Sequence, residues 1–163
     1  MAITSTDIQF RLSGGSSNSD PVASLGGVKS STAAVNYFDD VTSAEAGSGD
    51  VEYRCIYVHN NHGSLTLLGA KVFIQTQTPS SDTDVAIGLG TSAINGTEQT
   101  VANEDAAPSG VSFSAPASFA AGLSIGDLAA GAHKAVWVRR TVNAGATAYS
   151  DSFTLRVQGD TNP

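Results

Sequence analysis

The stretch "CIYVHNNH", residues 55 to 62, holds the only cysteine of the chain and two of its three histidines. Cys55, His59 and His62 are all residue types that ligate zinc, and a zinc site wants four such ligands, commonly as two pairs. The remaining histidine is His133 and there is no second cysteine, so the set stops short. Strand parity gives a simpler account. Cys55, Tyr57 and His59 fall on one face, with Tyr53 beyond them. His62 follows Asn60-Asn61 and precedes Gly63, which is turn chemistry. The stretch reads as a strand running into a turn, with Cys55 a small buried apolar residue. No metal or other cofactor is expected.

Two more patterns suggest catalysis. "GLSIG", residues 122 to 126, matches G-x-S-x-G, with Asp127 and His133 following in the order of a hydrolase triad. That chemistry needs Ser124 on a sharp turn from a parallel strand into a helix. The surrounding "AAGLSIGDLAAGAHKAV" reads instead as strand, turn and strand, with Asp127 and His133 too near in sequence to return as separate elements. The acidic groups Asp39-Asp40, Asp82-Thr-Asp84 and Glu104-Asp105 could offer oxygens to calcium. They lack the spacing of a calcium loop and sit where Asp makes turn hydrogen bonds. A glycosidase-type pair of carboxylates stays open, with no two acids singled out. The chain is therefore expected not to be an enzyme.

Trp137 and the Tyr and Phe residues could form a sugar- or peptide-binding platform. Aromatics are 7% of the chain and fall mostly at strand positions, which favours core. Alternation sends Arg139 and Arg140 to opposite faces, so one of them points towards the interior or an interface. A buried arginine wants a carboxylate, supplied by this chain or by a neighbouring one.

The bulk of the chain limits its partners. Its 163 residues suit one domain with a real core. Charged residues are 14%, against roughly 25% in an ordinary soluble domain, and net charge is −7. Nucleic acid and anionic membrane are poor partners for such a surface. A lone cysteine excludes an internal disulfide. The start, "MAITSTDIQFRLSGG", lacks the basic and apolar regions of a signal peptide, so a cytoplasmic setting is expected. Asn95-Gly96-Thr97 then reads as a turn.

The elements that must position these residues have a period of two. "DIQFRL" (7–12) aligns Ile8, Phe10 and Leu12. "VEYRCIYV" (51–58) is apolar on both faces, as in a central strand. "LLGAKVFIQT" (67–76), "DVAIGL" (84–89), "GVSFS" (110–114), "AHKAVWVRRTV" (132–142) and "SFTLRV" (152–157) follow, divided by Gly, Asn, Pro, Ser and Asp. About seven or eight short strands with such turns predict an all-β fold, a single antiparallel β-sandwich of immunoglobulin-like or jelly-roll-like type. "TSAEAGS" (42–48) has room for one helical turn. Residues 13 to 50 are small, polar and Gly-rich, unusually long for a connection inside a compact domain. The expected division is an extended N-terminal arm with one short strand over 1–50 and the sandwich over 51–163. The arm is expected to lie over a neighbouring subunit. Ile8, Phe10, Arg11, Leu12, Arg139 and Arg140 are the candidate interaction residues.

From "VTSAEAGSGDVEYRCIYVHNNHGSLTLLGAKVFI" to "GLSIGDLAAGAHKAVWVRRTVNAGATAYSDSFTLRVQGD" the chain resembles structural proteins of tailed-bacteriophage virions, over most of its length beyond about residue 40. The resemblance implies a virion component that decorates or cements the capsid, with a tail or baseplate component as the alternative. It implies partners among copies of the chain itself, as a homo-oligomer, and other virion proteins, the major capsid protein first. It also implies arm exchange through "STDIQFRLSGGSSNSDP". A carbohydrate-binding β-sandwich module is the alternative from another class.

Overall fold

The computed structural model describes residues 2–147 and 151–161. Among them are nine strands and one short helix: β1 (Ile8–Leu12), β2 (Gly26–Gly27), α1 (Ser43–Ser48), β3 (Asp50–Asn60), β4 (Leu67–Thr76), β5 (Thr83–Leu89), β6 (Glu98–Thr100), β7 (Leu123–Leu128), β8 (His133–Val142) and β9 (Thr154–Thr161). The fold is all-β. A four-stranded antiparallel sheet, β1-β3-β8-β5, faces a three-stranded one, β7-β4-β9, and β2 pairs with β6 alone.

Alternation sets which face is core. On β3 and β8 the pairs Ile56↔Val136 and Arg54↔Val138 are in register, so even-numbered residues of both strands share the inner face. Ile56, Val58, Val136 and Val138 meet Val85 and Ile87 of β5 there, opposite Val72, Ile74, Ile125, Leu128 and Leu155 of the second sheet. Fully burying each such side chain stabilises the fold by about 1.5–3 kcal/mol. β3 does lie centrally, between β1 and β8.

The odd-numbered face of β3 and β8 is also covered. Cys55, Tyr57, Ala135 and Trp137 form a second cluster with Tyr53, Val101, Val111 and Phe113. Residues 110 to 114, expected as a strand, form no named strand. Ser114 alone bridges Ile87, by paired hydrogen bonds of 2.8 and 3.0 Å. Val111 and Phe113 lie over the sheet as a cover, so their alternation marks half-burial without a ladder. Gly88, the cross-strand partner of Trp137, makes this possible: a Cβ there would stand 2.5 Å from Val111 and 2.7 Å from the Ser112 carbonyl oxygen.

Much of the described part of the front region, expected as an arm, hydrogen-bonds to the sandwich of its own chain. β1 is an edge strand of the larger sheet. The chain then turns back along it, with Ser30 N–H donating to Leu12 (2.8 Å), Leu12 N–H to Thr32 (3.1 Å) and Ala34 N–H to Phe10 (2.8 Å). Buried Ser13 donates to the Cys55 carbonyl at 2.7 Å, and Cys55 N–H donates to the Ser24 carbonyl at 2.8 Å. The single helical turn expected at 42–48 is α1, started by a capping box. Thr42 Oγ1 accepts from Glu45 N–H at 3.3 Å, and the Glu45 carboxylate accepts from Thr42 N–H at 2.7 Å.

Candidate functional site

β3 and β8 carry charge into the sandwich at one end. Glu52, Arg54 and Arg140 have the parity of the core residues Ile56 and Val138, with Glu52 directly opposite Arg140. Arg54 is 0% exposed and Glu52 1%. Arg140 Nε donates to Glu52 Oε2 at 2.5 Å. Arg54 Nη2 donates to Asp39 at 3.2 Å and to the Glu104 carboxylate, and lies 3.8 Å from Glu52. Both guanidiniums lie over the Phe38 ring, that of Arg54 at 5.4 Å and that of Arg140 at 4.7 Å from its centre. Burial pushes the Glu52 carboxyl above its ordinary value, against the opposing pull of Arg140 and Arg54.

Oxygens of Asp39, Glu52 and Glu104 come within 4.8 Å of one another, close enough to suggest a cation site. Two guanidiniums already supply positive charge to these three carboxylates, so the arrangement is an ion-pair network. The carboxylate partners of Arg140 belong to its own chain. Sequence parity identifies Arg140 as the inward arginine. It does not identify Asp39 and Glu104, which arrive on separate connections.

A cleft of about 580 Å³ opens beside this network. Its walls include Tyr37, Phe38, Asp40, Arg140, Asp151 and Phe153. Tyr37 and Phe38 lie 5.6 and 6.4 Å from the Phe153 ring. Asp151 is tied to the Ser80 hydroxyl and, at 2.6 Å, to Thr83 Oγ1; these bonds hold its carboxyl below the ordinary value. Among the described residues the lining has no histidine or cysteine. The cleft offers aromatic faces and acceptor oxygens.

The other candidates are scattered. Leu12 is 1% exposed, and Ile8 and Phe10 pack against the core, so these three side chains face inward. Arg11, on the opposite face, donates to the Ser31 carbonyl and to Gln9. Arg139 stacks on Phe113, 5.5 Å from the ring, so the two adjacent arginines do take opposite faces. Cys55 is fully buried and burial pushes its thiol far up. His62 sits in the turn after β3, where Nδ1 accepts from the N–H groups of Ser64 (3.1 Å) and Leu65 (3.0 Å).

Residues 123–126 of "GLSIG", Ser124 included, lie on β7, an outer strand of an antiparallel sheet, and not on a strand-to-helix turn. Gly126 has φ 89 where β7 passes the register shifts around Ala70, so that glycine answers a bulge. Trp137 is 0% exposed and cannot serve as a sugar platform.

One buried acid escapes sequence reasoning. Glu98 is 3% exposed. Its Oε1 accepts from Thr91 N–H (3.1 Å) and Oγ1 (3.0 Å), and its Oε2 from Ser92 N–H (2.9 Å) and Oγ (2.7 Å). Burial alone would raise this carboxyl, but the Ser92 and Thr91 donors outweigh it and bring it to about 2. The signal was the turn Asn95-Gly96, with Asn95 at φ 64, which folds "TS" back onto Glu98.

No family model, no curated protein and no solved structure matches this chain.

Proposed function

We propose that this chain is a non-enzymatic structural protein of a tailed-bacteriophage virion, and within that class a capsid decoration or cement protein. It would stabilise the head by packing against the major capsid protein and against copies of itself, assembling in the host cytoplasm. The observation that supports this most is the commitment of reactive side chains to the fold. Cys55 is buried, His62 caps a turn, Glu98 holds four donors, and Arg54 and Arg140 hold Glu52, Asp39 and Glu104. Charged residues are 14% of the chain, a low density suited to close packing against protein. The net charge of −7 favours solubility of unassembled subunits. The resemblance to virion proteins points the same way.

The test is the copy number of this protein relative to the major capsid protein in purified particles, by quantitative mass spectrometry. Near-stoichiometric amounts support a place on the shell. A small number moves the protein to the tail or baseplate, and absence from the particle sinks the virion reading.

A second reading has its own observation. The Tyr37, Phe38 and Phe153 cleft offers stacking faces beside polar oxygens, as a carbohydrate-binding module requires. Loss of glycan-array binding on Tyr37→Ala would support it, and absence of any binding by the unaltered protein would remove it.

A further inference from the structure

The chain has eight Lys and Arg residues and three His. Two of the former and two of the latter gather on the outer face of the larger sheet. Register sets the row: Gln9 of β1 stands opposite His59 of β3, which stands opposite His133 of β8. The two imidazoles are 6.4 Å apart, and Tyr57 packs edge-on to His133 at 5.2 Å. Arg11 lies one step along β1, opposite Tyr57, with its guanidinium turned to Gln9. Lys29, on the segment that turns back over β1, is near enough to act electrostatically on Arg11, His59 and His133.

Like charges are costly to gather without a counter-charge. No ion pair to Arg11 or Lys29 is found among the described residues, whereas Arg54 and Arg140 each have carboxylate partners. The carboxylate on this face that acts on Tyr57 is Glu98, whose oxygens are taken by Thr91 and Ser92. Arg11 Nε and His59 Nδ1 are two of six buried side-chain nitrogens that have no hydrogen-bond partner among the described residues. Buried polar atoms are nearly always paired, and such orphans ask for an explanation.

We propose that Arg11, Lys29, His59 and His133 form a binding site for a tetrahedral oxyanion of the sulfate or phosphate type. The anion supplies the missing counter-charge. A guanidinium and an ammonium provide fixed charge, and the imidazoles add charge when protonated. Burial, then Lys29 and Arg11, hold His59 below its ordinary value, with the Ala132 backbone and Asn61 pulling the other way. Burial, then Lys29 and His59, do the same to His133. An anion reverses this repulsion, so binding takes up protons and strengthens as pH falls.

The test is NMR of the imidazole C–H signals of the full chain during titration with sodium sulfate, against sodium chloride at matched ionic strength. Sulfate keeps its charge across the range. Expected are saturable shifts of His59 and His133 with His62 unmoved, and affinity about threefold or more higher near pH 6 than near pH 8. Lys29→Gln, at a half-buried position, should weaken binding about tenfold while the rest of the spectrum holds. O-phosphoserine distinguishes the source: equal binding means the group is accepted on a larger molecule, and exclusion means a free inorganic ion. Histidine shifts no larger with sulfate than with chloride, or unchanged sulfate affinity in a folded Lys29→Gln variant, would overturn the proposal.

Discussion

Replacing Glu98 by glutamine changes one atom and tests the most completely satisfied acid of the molecule. The glutamine oxygen can still serve one pair of donors. Its NH2 group then faces the other pair, from Thr91 or from Ser92. Each buried donor left without an acceptor costs about 1–3 kcal/mol. Linkage gives a second figure. A carboxyl held at about 2 against an ordinary 4.5 contributes about 3 kcal/mol at neutral pH. Both lines lead to a loss of about 3 kcal/mol for Glu98→Gln at pH 7. The pH dependence follows from the depressed value. The stabilisation is fully present above pH 4.5 and is lost as pH falls through about 2. Urea denaturation of both proteins at several pH values measures the difference directly. The gap should stay near its full size down to pH 4.5 and then close towards pH 2. A gap of the same size at every pH would refute the reasoning, because it would tie the cost to shape and not to the charge.

Three further outcomes are expected. Arg54→Met should cost about 3–5 kcal/mol in urea denaturation, because Glu52 loses one of its two guanidiniums in a buried site; a loss under about 1 kcal/mol would mean that Arg140 alone neutralises the cluster. Gly88→Ala should cost about 1–3 kcal/mol and redshift the Trp137 fluorescence, as the added methyl lifts Val111 and Ser112 from the sheet; an unshifted spectrum would contradict the role given to this glycine. Cys55 should resist maleimide in native buffer and react on unfolding, since burial pushes its thiol up and keeps it from solvent; fast native labelling would place it outside the core.

The strands were legible wherever alternation coincided with a ladder. "LLGAKVFIQT" is β4 from first residue to last, and the two-faced apolar pattern of residues 51–58 identified a central strand. The pattern misled at 110–114, because Val111 and Phe113 alternate to cover Trp137 and not to pair with a neighbour. An isolated run of five residues carries the same signal in both cases. The front region was less legible for a related reason. Its Gly and Ser content suits an extended arm, but it equally suits a segment whose hydroxyls and backbone satisfy β3 beyond the end of β1, as Ser13 and Ser24 do. The charge network was half legible. Arg140 follows from strand parity, whereas Asp39 and Glu104 reach Arg54 across separations of 15 and 50 residues on irregular chain. No local period encodes such a meeting.

The order of strands in space has a consequence for the order of events in synthesis. β8 is an inner strand of the larger sheet, and β4 has β9 on one side. While the chain emerges from the ribosome, β3 and β5 have no common partner until residue 142 is made, and β4 lacks β9 until residue 161. Until those residues are made, the apolar faces of β3, β4 and β5 have no finished sheet to join. Folding of these two sheets is governed by contacts between distant segments. Fragments that stop short of β8 should be held by chaperones or aggregate, and only a piece that runs through β9 can close both sheets.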